Sequence, residues 1–169
     1  MPKDAQLAFV KGRAMTLELT STAFQEGEAI PQIYTADGQD ISPPLKWVDP
    51  PLSTQSFALI CEDPDAPRAT FTHWLAFNLP AESRELIEGA LLDGKWPNGT
   101  LQGVNDFGKI GYGGPSPPPG KPHRYFFKLY ALDRLLDIPS GATKKQVLDA
   151  VKGHELRTSQ LMGTYGRSQ

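Results

Sequence analysis

Apolar and polar residues along this chain alternate with the period of a strand far more often than with that of a helix. Met15 to Thr20 alternates one for one, which predicts a half-buried strand. Leu45-Lys46-Trp47-Val48 predicts a second, ended by Pro50 and Pro51. Phe57 to Asp63 and Phe71 to Asn78 are apolar runs of strand length flanking a loop that contains Pro64 and Pro67. Those prolines keep the loop extended and out of a helix, so the two runs are expected to pair as antiparallel strands. Arg124 to Leu132 is the strongest strand by aromatic and apolar content, and Leu156 to Tyr165 reads as a closing strand. Helical spacing is confined to Val147, Leu148 and Val151, within Lys144 to Val151 behind a Thr143 N-cap. Weaker signals predict a turn and short strand around Gly27, a short strand within residues 84–92, and a long loop from Gly94 to Gly120. The expected organisation is an N-terminal arm, residues 1–13, then a single domain, residues 14–169. Its fold class is mainly β, an antiparallel β-sandwich with one short helix near the C-terminus.

Composition narrows the function classes. At 169 residues the chain fits one domain with a sizeable core. Its net charge of -2 provides no basic field, which argues against nucleic acid as partner. No run approaches about 20 apolar residues, so no membrane segment is expected. The N-terminus carries Asp4 and no apolar stretch of signal-peptide type, so the expected location is cytoplasmic. The single Cys61 excludes an intramolecular disulfide; mid-strand, it reads as a small buried side chain rather than a nucleophile.

The candidate chemistry gathers where polar residues end apolar stripes. Strict alternation puts Phe57, Leu59, Cys61 and Asp63 on one strand face, and Phe71, His73, Leu75 and Phe77 on one face of the next. Antiparallel pairing brings Asp63 and His73 to the same sheet end. His123 and Tyr125 open the apolar stripe Phe127, Leu129, Ala131, and reach that same end if their strand runs in the direction of 71–79. Just before them, Gly111 to Gly120 is rich in glycine and proline, and its amides are expected to form a nest for an anion. A lone histidine on a strand is more often structural, and Asp-Pro-Asp is a common turn in which the Asp bonds its own backbone. The joint placement is what points to a small pocket for a phosphate or carboxylate, backed by apolar residues. Asp63 in such a pocket would repel an anion unless it accepts a hydrogen bond from His73 or from a protonated ligand oxygen, which would raise the imidazole pKa.

Asp63-Pro64-Asp65-Ala66-Pro67, Thr72-His73-Trp74 with Asn78, and Gly114-Pro115 leading to His123-Arg124-Tyr125 resemble the phosphatidylethanolamine-binding protein family, also called Raf kinase inhibitor proteins. Asp40-Ile41-Ser42-Pro43-Pro44-Leu45-Lys46-Trp47 and Gly163-Thr164-Tyr165 resemble its compact bacterial and archaeal branch. The resemblance spans about residues 14–167. It implies a sandwich with an anion pocket lined by Asp63, His73, His123, Tyr125 and the Gly114-Pro115 region, with Asp65 and Pro67 shaping the rim. Known members bind phosphate-like groups, including phospholipid headgroups. Some animal members bind kinases, so a kinase partner is an analogy only. Animal members also carry a pocket-covering C-terminal helix; here four residues follow Tyr165, so a more open pocket is expected. The compact branch suggests a homodimer.

The leading functional expectation is therefore a non-enzymatic protein binding a small anionic ligand, with no cofactor and no metal. Two His and two Asp could bind zinc, but their spacing matches no compact ligand set. The alternative is a hydrolase using Asp63, His73 and His123 for acid/base chemistry. No Gly-x-Ser-x-Gly elbow is present, and Ser116, between prolines, has no obvious base in the sequence.

Overall fold

The computed structural model describes residues 9–10, 13–14 and 16–168. Most of the expected arm, and Met15 at the head of the first expected strand, lie outside the described residues. Within the arm, Phe9–Val10 (β1) pairs antiparallel with Arg13–Ala14 (β2).

The remaining strands are Glu18–Thr20 (β3), Leu45–Val48 (β4), Ser56–Asp63 (β5), Phe71–Pro80 (β6), Glu85–Leu86 (β7), Leu101–Gln102 (β8), His123–Leu132 (β9) and Glu155–Tyr165 (β10). They build two antiparallel sheets, one ordered β10-β9-β5-β6-β8 and the other β3-β4-β7. The apolar core lies between them: Phe57, Leu59, Cys61, Trp74, Phe127 and Leu129 of the larger sheet pack with Leu19, Leu45 and Trp47 of the smaller one. The outer face of the larger sheet is buried as well. There Ala58, Ile60, Leu75 and Phe77 meet Val147 and Val151 of the helix Lys144–Val151 (α1). All eight residues of β5 are therefore buried, which is why its sequence reads as a continuous apolar run instead of an alternating one. On that outer face the buried Glu62 is compensated by Lys128, 2.7 Å away, and by Lys144 of α1. Burial pushes the Glu62 carboxyl up, but hydrogen bonds from the two lysines bring it below its usual value.

Thr143 caps α1 as expected. Its hydroxyl accepts from the Gln146 amide, and the Gln146 side chain accepts from the Thr143 amide, a reciprocal capping box. Leu148, expected on the apolar stripe, is exposed instead, and Val147 and Val151 carry the burial. Residues 84–92 contribute only the two residues of β7. The stretch around Gly27 makes a single bridge, Ala29 to Thr164, followed by a tight turn at Gln32–Tyr34 rather than a strand. The long loop from Gly94 to Gly120 is stitched down by β8 and by bridges Lys95–Leu101 and Val104–Ile110.

β5 runs antiparallel to both β6 and β9, so those two run in the same direction. Phe71, the first residue of β6, pairs with Asp63, the last of β5, and β9 begins just past that same end. Among the described residues, no helix is long and apolar enough to cross a membrane.

Candidate functional site

The end of β5 and the beginnings of β6 and β9 meet around a cavity of about 200 Å³. Asp63, His73, His123 and Tyr125 line it, with Pro67 and Ala66 on one side. Phe71, Phe107, Ser116, Pro117 and Pro118 complete the wall.

His73 reaches the cavity through a bulge. Cys61 pairs with Trp74 but Glu62 pairs with Thr72, so His73 is an extra residue on β6. A second irregularity falls between Phe57 and Leu59, opposite Asn78, whose φ is 57°. The bulge at His73 overturns the single face expected for Phe71, His73, Leu75 and Phe77. Leu75 and Phe77 turn to the helix side, while Phe71 and His73 line the cavity. Strict alternation fails because a bulge resets parity.

The bulged residue is held by the long loop. Gly113 donates its amide to the His73 carbonyl at 2.9 Å, and His73 Nδ1 donates to the Gly113 carbonyl at 2.6 Å. A carbonyl can only accept, so the proton sits on Nδ1, and Nε2 has no hydrogen-bond partner among the described residues. Asn105 staples the loop tip, with its Oδ1 accepting from Phe107 and Lys109 amides and its Nδ2 donating to the Gly111 carbonyl. That positions the Phe107 ring edge-on to Phe71, 4.7 Å between centroids, and to His73 at 5.5 Å.

Asp63 divides its two oxygens. Oδ1 accepts from the Asp65 amide at 2.7 Å, closing the Asp-Pro-Asp turn. Oδ2 accepts from His123 Nδ1 at 2.6 Å. The partner of Asp63 is thus His123 and not His73. His123 Nε2, like that of His73, has no hydrogen-bond partner among the described residues. Burial pushes the His73 imidazole below its usual value, against the pull of the Gly113 carbonyl and Asp63. His73 is thereby held towards the neutral form, which corrects the expectation of a raised pKa. Tyr125 is 1% exposed, and its hydroxyl has no hydrogen-bond partner among the described residues. Burial raises its pKa, so it stays a phenol with a proton to donate.

Three expected ligand residues sit elsewhere. Asp65 is not among the residues lining the cavity and holds Arg124 by a two-pronged ion pair at 2.9 and 3.0 Å, tying the turn to the start of β9. The Arg124 hydrogen bonds pull the Asp65 carboxyl down to about 2. The Gly114 amide donates to Asp40 Oδ1 at 2.7 Å, and the Pro115 carbonyl accepts from the Ala36 amide. With the Gly113 amide on His73 as well, the expected amide nest for an anion does not form. These glycines serve close packing: a Cβ on Gly113 would lie 2.5 Å from the Phe107 ring, and one on Gly114 would lie 2.4 Å from the Tyr34 carbonyl. The sequence reading missed Phe107, whose only local signal is the Asn-Asp-Phe-Gly turn, and took Ser116 to Pro118 as part of an amide nest, whereas they form an apolar and hydroxyl-bearing wall.

The sequence model of the family described as phosphatidylethanolamine-binding protein matches residues 20–166. This chain belongs to the phosphatidylethanolamine-binding protein family. UPF0098 proteins of Methanothermobacter thermautotrophicus and Aquifex aeolicus are similar to it. The first is 50% identical over 89% of this chain and 99% of its own length, and the second is 48% identical over 89% of each. Two crystal structures share the fold. A phosphatidylethanolamine-binding protein homolog of Chlamydia trachomatis superposes with a TM-score of 0.83 at 42% identity, covering 92% of this chain and 100% of its own. YbcL of Escherichia coli, described as a member of the mammalian family, does so with a TM-score of 0.83 at 34% identity, covering 89% of this chain and 98% of its own.

Proposed function

We propose that this family member is a binding protein that takes a small ligand by one phosphate or carboxylate group, seated between His73, His123 and Tyr125. The observation that carries this is the set of groups left unused in the cavity: two imidazole Nε2 atoms and one buried, unpartnered hydroxyl. Phe71, Phe107 and the prolines offer apolar surface to the rest of the ligand. With Nδ1 of one ring committed to the Gly113 carbonyl and Nδ1 of the other to Asp63, each ring has Nε2 to offer the ligand. An oxyanion meets it favourably only if a proton comes along, on the ring or on the ligand oxygen. Asp63 is already engaged by His123 and the Asp65 amide, so it supports charge on His123 instead of confronting the ligand.

Calorimetric titration with inorganic phosphate and O-phosphoethanolamine tests this. His123→Ala is expected to weaken binding by about 1.5–3 kcal/mol, the range for a charge-assisted hydrogen bond. Unchanged affinity in that variant, or no binding by the wild type, would refute the reading.

A second reading, hydrolysis, is favoured by the short Asp63–His123 bond, which orients an imidazole as a general base. Ser116, set aside on sequence grounds, lines the same cavity. Turnover of a p-nitrophenyl ester or phosphate that His123→Ala abolishes would promote it over binding. Kinase modulation and homodimer formation rest on family analogy alone.

A further inference from the structure

One wall of the cavity, Ser116 to Pro118, belongs to no strand. Pro117, Pro118 and Pro119 have no amide protons, so beyond the Ser116 amide the wall has only its carbonyls and the Ser116 hydroxyl to be held by. Arg167, just beyond β10, does this. Its Nη1 donates to the Pro117 carbonyl at 2.9 Å, and its Nη2 lies 3.4 Å from Ser116 Oγ. Its own carbonyl accepts from the Gly120 amide at 3.0 Å, within a bridge between Pro119 and Arg167. The other edge of the guanidinium is anchored on Asp37, Nε to Oδ2 at 2.9 Å and Nη2 to Oδ1 at 2.8 Å. Tyr165 also donates to Asp37 Oδ2, at 2.6 Å. The neighbouring Ala36 amide bonds the Pro115 carbonyl, so both sides of this clamp grip the start of the wall. A planar fork with several donors in fixed directions suits two separated anchors at once, which the single nitrogen of a lysine spans less well. The Arg167 charge also acts on Tyr125, opposing the upward push of burial on the phenol.

We infer that Arg167 is a positioning residue of the anion site: anchored on Asp37, it holds the Ser116–Pro118 wall in place against His123 and Tyr125. This rests on the proposed anion reading of the cavity.

The test is phosphate titration of Arg167→Lys, Arg167→Ala and Asp37→Asn, with amide hydrogen exchange at Ala36 and Gly120. Each variant is expected to lose about tenfold in affinity, the size of one lost charge-assisted hydrogen bond, and to exchange faster at both amides. Added guanidinium ion is expected to restore part of the affinity of Arg167→Ala, which general destabilisation would not permit. Asp37→Asn is the discriminating case, because removing a negative charge near an anion site would tighten binding if only the field mattered. Tighter or unchanged binding in Asp37→Asn, or wild-type affinity in Arg167→Lys, overturns the inference. Absence of phosphate binding in the wild type overturns the anion reading instead; exchange at Ala36 and Gly120 then decides the positioning role by itself.

Discussion

At the scale of single residues, the site is governed by which atom each imidazole commits. His73 and His123 both donate from Nδ1, one to a carbonyl and one to a carboxylate, and that difference sets their roles. Only His123 has a negative partner to support a charge. His73 relies on burial to stay neutral, so a bound anion must raise its pKa from a depressed starting point. Phosphate binding is then expected to take up protons. Affinity should be highest at acid pH and fall as pH rises through the imidazole pKa of the complex; calorimetry in buffers of different ionisation enthalpy measures the uptake. The same depression makes stability depend on pH. The unfolded chain protonates His73 near the ordinary value of 6.5 while the folded chain does not. Stability contributed by His73 is therefore complete above that pH and lost as pH falls towards the folded pKa. Denaturant unfolding between pH 7 and pH 5 should show a decline that His73→Gln reduces. Tyr125→Phe removes an unpartnered hydroxyl, so it should leave unfolding nearly unchanged while weakening phosphate binding.

At the scale of elements, the bulge at His73 and the loop that grips it are one device. β6 alone would send His73 to the helix side with Leu75 and Phe77. The extra residue, pinned by two hydrogen bonds to Gly113, brings it into the cavity. Gly113→Ala is expected to force the Phe107 ring away, at a cost of about 1–3 kcal/mol for an overpacked contact, and to weaken phosphate binding with it. Thermal unfolding and titration of that variant check both effects. The helix depends on a separate local device. Thr143→Ala should lower stability by about 1 kcal/mol through loss of the cap, measured by denaturant unfolding, with phosphate affinity unchanged because α1 lies on the opposite face of the sheet.

At the scale of the whole molecule, β5 is the axis. It lies between β9 and β6, is covered by the smaller sheet on one face and by α1 on the other, and ends at Asp63. A site built at the end of the most buried strand inherits its rigidity. Native-state hydrogen exchange should find the slowest amides in β5 and the central part of β9, and the fastest in the short outer strands β7 and β8. Uniform protection across the larger sheet would show that burial does not rank its strands.

The sequence by itself determined the strands β5, β6, β9 and β10, the capped helix, and the placing of Asp63 and His73 at one sheet end. Those features follow from alternation, strand direction and side-chain chemistry, which are local. That His123 and Tyr125 join them depended on the direction of β9, which its pairing with β5 set. The tertiary structure alone decided which histidine Asp63 serves, because that depends on β9 lying beside β5. It decided that Gly113 and Gly114 spend their amides on His73 and Asp40, because a donor goes to whichever acceptor packing brings near. It also decided the roles of Phe107, Ser116 and Arg167. Each acts across a chain separation that periodicity cannot see, and each is placed by loops whose path is set by the hydrogen bonds they must satisfy when buried.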